Sequence, residues 1–256
     1  MINQNSVIYV AGGAGRIGNQ VVKGIINSGG IAIIADNNKE KMSKIKKYYK
    51  NSNKVYFIQS NLNSKKKIKL SILKSLKRFK KIDSFVNCLY PISKGWGRKF
   101  ELIREKDLKN TLFHQIGLAL LFAQTFLEYF TKVGKGNIIN IASIQGVQAP
   151  KFSHYKNLNM TSPIEYSIAK AGIIALTKYL SKYYRNKKIR INCISPGGIK
   201  DNTKLSKTFL KRYRFDCNSK GMLDAQDVVG TILFLLSDKS KFIAGQNIII
   251  DDGWSL

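Results

Sequence analysis

The sequence is poor in cysteine, histidine and acidic side chains. It has three cysteines and two histidines in 256 residues, and they show neither a zinc-site spacing nor the even count of a disulfide framework. We therefore expect reduced thiols and no metal centre. Long apolar runs are also missing, because the best candidate, residues 116–130, is interrupted by Gln124 and Glu128. A membrane span needs about 20 apolar residues, so we expect a buried helix here.

A secretory signal is absent as well. The N-terminus has no basic segment followed by an apolar run and a small-residue cleavage site. Instead it leads directly into the strand-like residues 7–10. We therefore expect a cytoplasmic protein.

Positive charge is abundant. Lys and Arg total 44 against 15 acidic residues, a formal net charge of +29. Such a field attracts nucleic acid, acidic membranes or phosphorylated substrates. However, the lysine runs at residues 39–50 and 65–81 have helical periodicity and lack the interleaved aromatics of a single-strand binding platform. We favour lysines on solvated faces, with nucleic-acid binding as a minor alternative that predicts strongly salt-dependent binding to a random duplex.

The pattern of apolar residues predicts the fold class. With 44% apolar residues, the 256-residue chain is expected to form one domain, residues 1–256. Short branched runs alternate with amphipathic segments, which indicates an α/β fold with a doubly wound parallel sheet covered on both faces by helices. Strands are predicted at residues 7–11, 31–35, 55–59, 84–88, 137–141, 189–194 and 247–250. Helices are predicted at residues 17–28, 39–49, 66–79, 106–132, 162–184 and 225–236.

Ligands of such sheets bind beyond the carboxyl ends of the strands. After the first strand comes the glycine turn Gly12-Gly13-Ala14-Gly15-Arg16-Ile17-Gly18, which leads directly into a helix. Glycines permit a tight turn and a close approach to a pyrophosphate, which the helix N-terminus stabilises. The order of strand, turn and helix favours a dinucleotide site over an ordinary tight turn.

The second strand ends at Asp36. A carboxylate at this place accepts hydrogen bonds from the adenosine ribose hydroxyls and repels the 2′-phosphate of NADP, so Asp36 favours NAD. Arg16 in the glycine turn supplies positive charge and leaves NADP as the weaker alternative. Asp36 could also be an ordinary helix-capping residue.

A Tyr-x-x-x-Lys pair, Tyr166 and Lys170, places a phenol and an ammonium group on one helix face. The spacing alone is not specific, because it recurs at Tyr90/Lys94, Tyr183/Lys187 and Tyr184/Lys188. Context selects Tyr166, which lies near the start of a long predicted helix, after the strand that leads into Ser143.

Together these features resemble the short-chain dehydrogenase/reductase family across nearly the whole chain. The matching elements are the glycine turn, Asn87, Ser143-x-x-Gly146, Tyr166 with Lys170, Pro196-Gly197-Gly198 and the terminal segment 245–253. The resemblance implies a Rossmann-type fold and an NAD(P)-dependent oxidoreductase. A cofactor-binding protein of the same fold without catalysis, acting as a sensor or scaffold, is the alternative.

The resemblance implies hydride transfer with Tyr166 as the proton donor or acceptor. Lys170 would hold the nicotinamide ribose, and Ser143 would hydrogen-bond the reacting oxygen. A free tyrosine has a pKa of about 10, so acting as a base near neutrality needs a shift of about three units. Lys170 and the positive charge of nicotinamide are expected to supply it. Further cofactor contacts are implied for Asn61, Leu62, Asn87, Pro196, Gly197 and Ile199.

The sequence departs from the family in two places near the predicted centre. Gln115 stands where the family has a catalytic asparagine, so the proton relay is expected to use Gln115 or the neighbouring His114, unless His114 has no special role. The interval from Ser143 to Tyr166 is also longer than usual, which predicts a substrate-side insertion near residues 147–163. We expect Tyr90, Gln145 and Tyr155 to face the substrate.

Several segments resemble a narrower subgroup, the bacterial oxidoreductases of flagellin modification and legionaminic-acid-type surface-glycan synthesis. They are residues 157–166, 195–202 and 251–256. This resemblance implies an amino sugar or sugar phosphate as substrate. The wider family implies a homotetramer or homodimer assembled through the helices at 106–132 and 162–184, with Leu118, Phe122 and Ile173 serving either the core or the interface.

Overall fold

The computed structural model describes residues 2–92, 94–201 and 205–256. Its sheet has seven parallel strands in the order β3-β2-β1-β4-β5-β6-β7. The strands are β1 (Val7–Ala11), β2 (Ile31–Asp36), β3 (Val55–Gln59), β4 (Ser84–Asn87), β5 (Lys135–Ile141), β6 (Lys188–Pro196) and β7 (Asn247–Ile250). The predicted fold class is therefore confirmed.

Helices connect successive strands. They are α1 (Arg16–Asn27), α2 (Lys39–Tyr48), α3 (Lys65–Phe79), α4 (Glu105–Leu112), α5 (Leu118–Val133), α6 (Ile164–Tyr183), α7 (Lys207–Phe215) and α8 (Val229–Leu236). Short 3-10 helices cover Phe100–Leu102, Ile144–Gly146, Phe152–Tyr155 and Asp238–Ser240.

Both faces of the sheet are buried, which explains its runs of branched residues. In β1, successive side chains alternate between two cores. Ile8 and Val10 pack on the α1 and α8 side, whereas Tyr9 packs on the α3 and α5 side. There, Tyr9 hydrogen-bonds Ser71 at 2.7 Å and contacts the ring of Phe126 edge-on.

The segment predicted as one helix at 106–132 is interrupted. A π-helical turn, Phe113–Gly117, lies between α4 and α5. Among the residues that the structure describes, Glu105–Val133 is the one helical segment long and apolar enough to cross a membrane by length and composition. Its buried Phe122, Phe126 and Phe130 pack against the sheet, as expected for a core helix.

Two other expectations need correction. No helix was predicted at Lys207–Phe215, because this basic segment buries only Phe209 and Tyr213 and has a weak apolar stripe. The helix predicted from residue 225 begins at Val229, since the Asp227 carboxylate bonds the backbone N–H of Asp224 and holds a turn there.

The strand order brings four segments to one edge. The turns after β1, β4, β5 and β6 lie beside one another because these strands are neighbours in the sheet. They carry Gly12, Asn87, Ser143 and Gly197. Ligands bind at this edge in doubly wound sheets, where the connections diverge between β1 and β4.

Candidate active site

The glycine turn forms a cradle that side chains would fill. Gly12 has a φ of +71°, and a Cβ there would lie 2.7 Å from the Cys88 carbonyl oxygen. A Cβ on Gly18 would lie 2.2 Å from the Gly12 carbonyl oxygen. Gly15 is the N-cap of α1 and offers no capping side chain, and the first turn has no acidic residue. The N–H groups of this helix end therefore suit a pyrophosphate.

Asp36 stabilises the turn. Its carboxylate accepts hydrogen bonds from the backbone N–H of Ala14 and of Asn38, each at 3.0 Å. The cap of α2 is Asn38, which accepts from the Lys41 N–H at 2.9 Å. Helix capping is therefore not the role of Asp36. Since a carboxylate accepts about four hydrogen bonds, lone pairs remain for a ribose.

Arg16 spans the cleft between the glycine turn and the segment after β6. Its guanidinium pairs with Asp201 and donates to the Ile199 carbonyl at 3.4 Å. The same positive charge lowers the pKa of Tyr90, although burial has the larger effect and raises it. Arg16 thus connects both walls of the predicted dinucleotide cleft, a contact that sequence spacing alone does not reveal.

The other expected cofactor residues differ in their surroundings. The Asn87 amide donates to Asn140 at 3.5 Å and accepts from the Leu89 N–H at 3.3 Å, next to the glycine turn. Leu62 packs in the core, while Asn61 is exposed beyond β3. Pro196 ends β6, and Gly197 is so close to Asp251 that a Cβ would lie 3.0 Å from its Cα.

Ser143, Tyr166 and Lys170 converge. The Ser143 hydroxyl lies beside the Tyr166 phenol and lowers its pKa, and it accepts from the Gln145 N–H at 3.2 Å. The Lys170 Nζ lies 5.4 Å from the centre of the Tyr166 ring and donates to the Ile141 carbonyl at 2.9 Å. Ser143, which follows β5, therefore meets Tyr166 and Lys170 of α6 at the sheet edge.

Burial controls the ionisation of this cluster. It raises the pKa of Tyr166, which the hydrogen bond from Ser143 partly offsets. It also lowers the pKa of Lys170 to about 8, opposed by the nearby Cys88 thiol. The pKa of the Tyr166 phenol is therefore raised by burial, not lowered by Lys170 as expected. The site at neutral pH holds a neutral phenol beside a mostly protonated lysine.

Gln115 lies on the π-helical turn. Its side chain is 4% exposed and donates through Nε2 to the Pro91 carbonyl at 2.7 Å. Its Oε1 is buried without a hydrogen-bond partner among the described residues. The neighbouring His114 bonds the Asn110 carbonyl of its own helix at 2.7 Å. The orphaned oxygen indicates that Gln115 has the spare bonding capacity of a relay residue.

The substrate-side insertion is held in place by an ion pair. Buried His154 pairs with Asp216 at 2.5 Å, and Lys151 lies 3.4 Å from the same carboxylate. Tyr155 packs on the Phe209 ring at 5.2 Å, and burial raises the pKa of its hydroxyl, an effect that the neighbouring Ser162 and Gln145 oppose. Tyr155 therefore has a packing role, its contact with the substrate stays a prediction, and sequence reasoning missed the contribution of His154.

Tyr90 meets an aromatic residue that sequence reasoning also missed. Its ring centre lies 5.7 Å from both Trp96 and Tyr166. Trp96 lies in the loop before α4, between Gly95 and Gly97, which both have positive φ. The Gly-Trp-Gly sequence was the available signal, but loop residues carry no periodicity. No cluster of three potential metal ligands occurs in the described parts of the chain.

Comparisons with known proteins identify relatives of the whole chain. The family model described as enoyl-(acyl carrier protein) reductase matches residues 12–255. Post-translational flagellin modification protein A of Campylobacter coli is 43% identical, over 99% of both chains. The 7alpha-hydroxysteroid dehydrogenase of Bacteroides fragilis is 30% identical, over 99% of this chain and 95% of its own.

A solved structure agrees. The short chain dehydrogenase of Leptospira borgpetersenii serovar Hardjo-bovis, with bound NAD+, has a TM-score of 0.87 and 31% identity. The match covers 99% of this chain and 94% of that one.

We predict that Gly18→Ala weakens dinucleotide binding at least tenfold, because its Cβ would collide with the Gly12 carbonyl and distort the phosphate turn. NADH fluorescence titration measures the dissociation constant. Gly230→Ala is the matched control, since its Cβ meets no described atom within 4 Å and alanine favours the helix α8. Equal NADH affinity of the two variants would show that the turn does not bind phosphate.

Proposed function

The chain belongs to the short-chain dehydrogenase/reductase family, and on this basis we propose that it is an NAD-dependent oxidoreductase of a sugar hydroxyl or carbonyl group. The observation that carries the proposal is the convergence of Ser143, Tyr166 and Lys170 beside the glycine turn. A phenol, a hydroxyl and an ammonium group can together exchange a proton with a substrate oxygen while its carbon gains or loses a hydride.

Each residue of the cluster has a distinct task. The bound nicotinamide cofactor supplies or accepts the hydride. The Tyr166 Oη donates or accepts the proton of the substrate oxygen, and the Ser143 hydroxyl, which lies beside that phenol, holds the same oxygen in position. Lys170, fixed by its bond to the Ile141 carbonyl at 2.9 Å, stabilises negative charge on the phenol and would hold the nicotinamide ribose.

The ionisation states favour a proton donor. Because burial raises the pKa of Tyr166, the phenol keeps its proton at neutral pH and is ready to give it to a carbonyl oxygen that receives a hydride. Oxidation of a substrate hydroxyl requires a deprotonated phenol instead, and additional positive charge near the phenol is needed to stabilise that form. We therefore propose that carbonyl reduction is the faster direction near neutrality.

We propose NAD rather than NADP. The carboxylate of Asp36 at the end of β2, already ordered by two backbone N–H groups, would accept the ribose hydroxyls and repel a 2′-phosphate. Asn37 supplies no compensating charge. Gly12, Gly15, Ile17 and Gly18 would hold the pyrophosphate with Arg16 across the cleft, and Asn61, Leu62, Asn87, Pro196, Gly197 and Ile199 would line the remainder. The need for a pool of this cofactor favours the cytoplasm.

Gln115 is proposed as the relay residue in place of the family's asparagine. Its buried Oε1 has no partner within the described chain, and a helical π-turn exposes backbone groups beside it. A water bonded there would pass protons to Lys170. His114 is the weaker candidate, because its Nδ1 is already bonded to the Asn110 carbonyl.

The proposed substrate is a sugar derivative. The Campylobacter coli relative, at 43% identity, is named for flagellin modification, and the net charge of +29 suits a phosphorylated sugar. Tyr90, Gln145 and Tyr155 would face it. Arg98 and Lys151 are already paired with Asp107 and Asp216, so they are less suited to bind a phosphate than cations without such a partner.

We also propose a homodimer or homotetramer built on α5 and α6. Leu118, Phe122 and Ile173 serve the core, since all three are at most 5% exposed. The outer face carries other apolar side chains, which leave an interface unfilled in the monomer. The exposed side chains are Leu120, Ile164, Ile168, Tyr179 and Tyr183.

We predict that Tyr166→Phe lowers kcat at least a thousandfold, because the proton donor is lost, while NADH affinity changes less than threefold. Turnover is measured on a panel of amino sugars, keto-sugars and sugar phosphates with NAD(H) and NADP(H). Retained turnover would remove Tyr166 from its role. Cofactor binding by the wild type without turnover on the whole panel would favour the sensor or scaffold alternative.

We predict that the initial rate of reduction falls as the pH rises through about 8, the value to which burial lowers the pKa of Lys170. Below it the lysine is charged and stabilises the developing phenolate; above it that charge is lost. In Lys170→Arg the guanidinium stays charged, so the slower variant should lack this descending limb. A flat wild-type profile between pH 7 and pH 9.5 contradicts the assignment.

We predict that Ile168→Glu reduces the molar mass in light scattering by at least half, because it places a charge in the middle of the outer α6 face. Tyr48→Glu is the control, an exposed aromatic on α2, away from that face, and it should leave the mass unchanged. If Ile168→Glu keeps the wild-type mass, α6 is not the interface.

A further inference from the structure

Three aromatic rings meet at nearly right angles beside the catalytic phenol. Trp96 and Tyr166 have ring centres 5.6 Å apart at an interplanar angle of 78°. Tyr90 lies 5.7 Å from each, at 89° to Trp96 and 83° to Tyr166. We call these three nearly perpendicular rings, Tyr90, Trp96 and Tyr166, the aromatic corner.

Trp96 is anchored by its neighbours. Gly95 adopts a φ of +146°, and a Cβ there would lie 2.5 Å from the Asp107 carboxylate. The same carboxylate pairs with Arg98 at 3.1 Å and ties the loop to α4. At the other end of the loop, the Pro91 carbonyl accepts from Gln115 at 2.7 Å. The indole is therefore pre-positioned against the reactive residue, so binding does not have to order it.

The charge around the aromatic corner selects its ligand. Aromatic faces attract either cations or the weakly positive C–H groups of a ring. The Lys170 Nζ already lies 5.4 Å from the Tyr166 ring centre and 5.9 Å from that of Tyr90, and Arg16 acts on Tyr90. These two positive charges repel a cationic ligand from the aromatic corner, whereas they do not repel the uncharged C–H face of a pyranose.

We propose that Trp96, with Tyr90, is a stacking wall that binds the C–H face of a cyclic sugar and selects rings over open-chain substrates. This inference rests on the proposed function, in which a sugar presents an oxygen to Tyr166. Tyr90 is 48% exposed, which leaves its ring accessible to a ligand. A pyranose lying against the indole would have its edge hydroxyl beside the Tyr166 phenol.

The binding test uses a matched pair of probes, glucose 6-phosphate and sorbitol 6-phosphate. Both probes have six carbons and one phosphate, so the electrostatic attraction to the basic protein is the same for the two. A difference between their affinities therefore reports the contribution of the sugar ring. On NAD-loaded full-length protein, isothermal titration should show the cyclic probe binding about tenfold more tightly, as expected for one stacked ring. Equal affinity for the two probes overturns the proposal.

Substitutions separate stacking from space-filling. Trp96→Phe keeps an aromatic face and should retain the preference for the ring within about threefold, whereas Trp96→Leu and Trp96→Ala should abolish it. If Trp96→Leu keeps the preference, the side chain only fills space and the stacking proposal is wrong. We expect the pH profile of kcat to be the same in these variants as in the wild type. If Trp96 only shielded Tyr166 from solvent, its replacement would change the pKa of the phenol and shift that profile.

Fluorescence tests the position directly. The protein has two tryptophans, and Trp254 is 2% exposed and stacked on Tyr213. In Trp254→Phe, which preserves that stacking, glucose 6-phosphate should change the Trp96 emission and sorbitol 6-phosphate should not. A response to the ring without turnover of any sugar would refute the proposed function and keep the stacking wall. Turnover of sugars without a change in Trp96 emission would refute the stacking wall and keep the proposed function.

Discussion

The close approach of α6 to the turn after β5 is the constraint on which the site depends. Gly146 makes it possible, because a Cβ there would lie 2.5 Å from the backbone carbon of Lys170. The approach is secured by the hydrogen bond from the Lys170 Nζ to the Ile141 carbonyl at 2.9 Å. With helix and strand joined in this way, the Tyr166 phenol lies beside the Ser143 hydroxyl, which lowers its pKa. The arrangement of the reactive groups therefore follows from a packing contact between backbones.

That contact buries the charged group of Lys170, and the burial changes the ionisation of the site. Lys170 is 2% exposed, so it is desolvated, and its pKa falls to about 8. The same burial keeps Tyr166 protonated. A buried ammonium beside a neutral phenol is arranged to stabilise a phenolate that forms during proton transfer, without reorganisation of solvent. The many surface lysines contribute a general field, whereas the Lys170 Nζ lies 5.4 Å from the centre of the Tyr166 ring.

Two loops complete the site from outside the sheet edge. The insertion after Ser143 is held by His154 and Asp216, and the loop after β4 is held by Arg98 and Asp107. In both cases contacts to a partly buried carboxylate fix a segment that has no strand to support it. Because one loop carries Tyr155 and the other carries Trp96, the proposed substrate contacts lie on loops, whereas the proposed proton-exchanging groups lie at the sheet edge and on α6.

Elements with strong periodicity were predictable. The strand runs and the glycine turn follow from local patterns that retain their meaning wherever the chain folds, and the context of these elements selected Tyr166 with Lys170 from other pairs of the same spacing. The π-turn at Gln115, helix α7 and the exact ends of α8 were not, because each depends on side-chain hydrogen bonds or on packing partners distant in sequence. For the same reason, the outer face of α6 could not be told from its core face until the helix had been placed against the sheet.

The sequence by itself determined the parallel sheet, since residue type and spacing express it directly, and its motifs indicated the candidate dinucleotide cradle and the candidate proton-exchanging residues. The tertiary structure decided which charges are neutralised and which rings meet. The pairing of Arg16 with Asp201 and the contact of Trp96 with Tyr166 join residues separated by long stretches of chain. Such contacts depend on loop paths, and the free energy that selects one path comes from packing and ion pairs that no local pattern encodes.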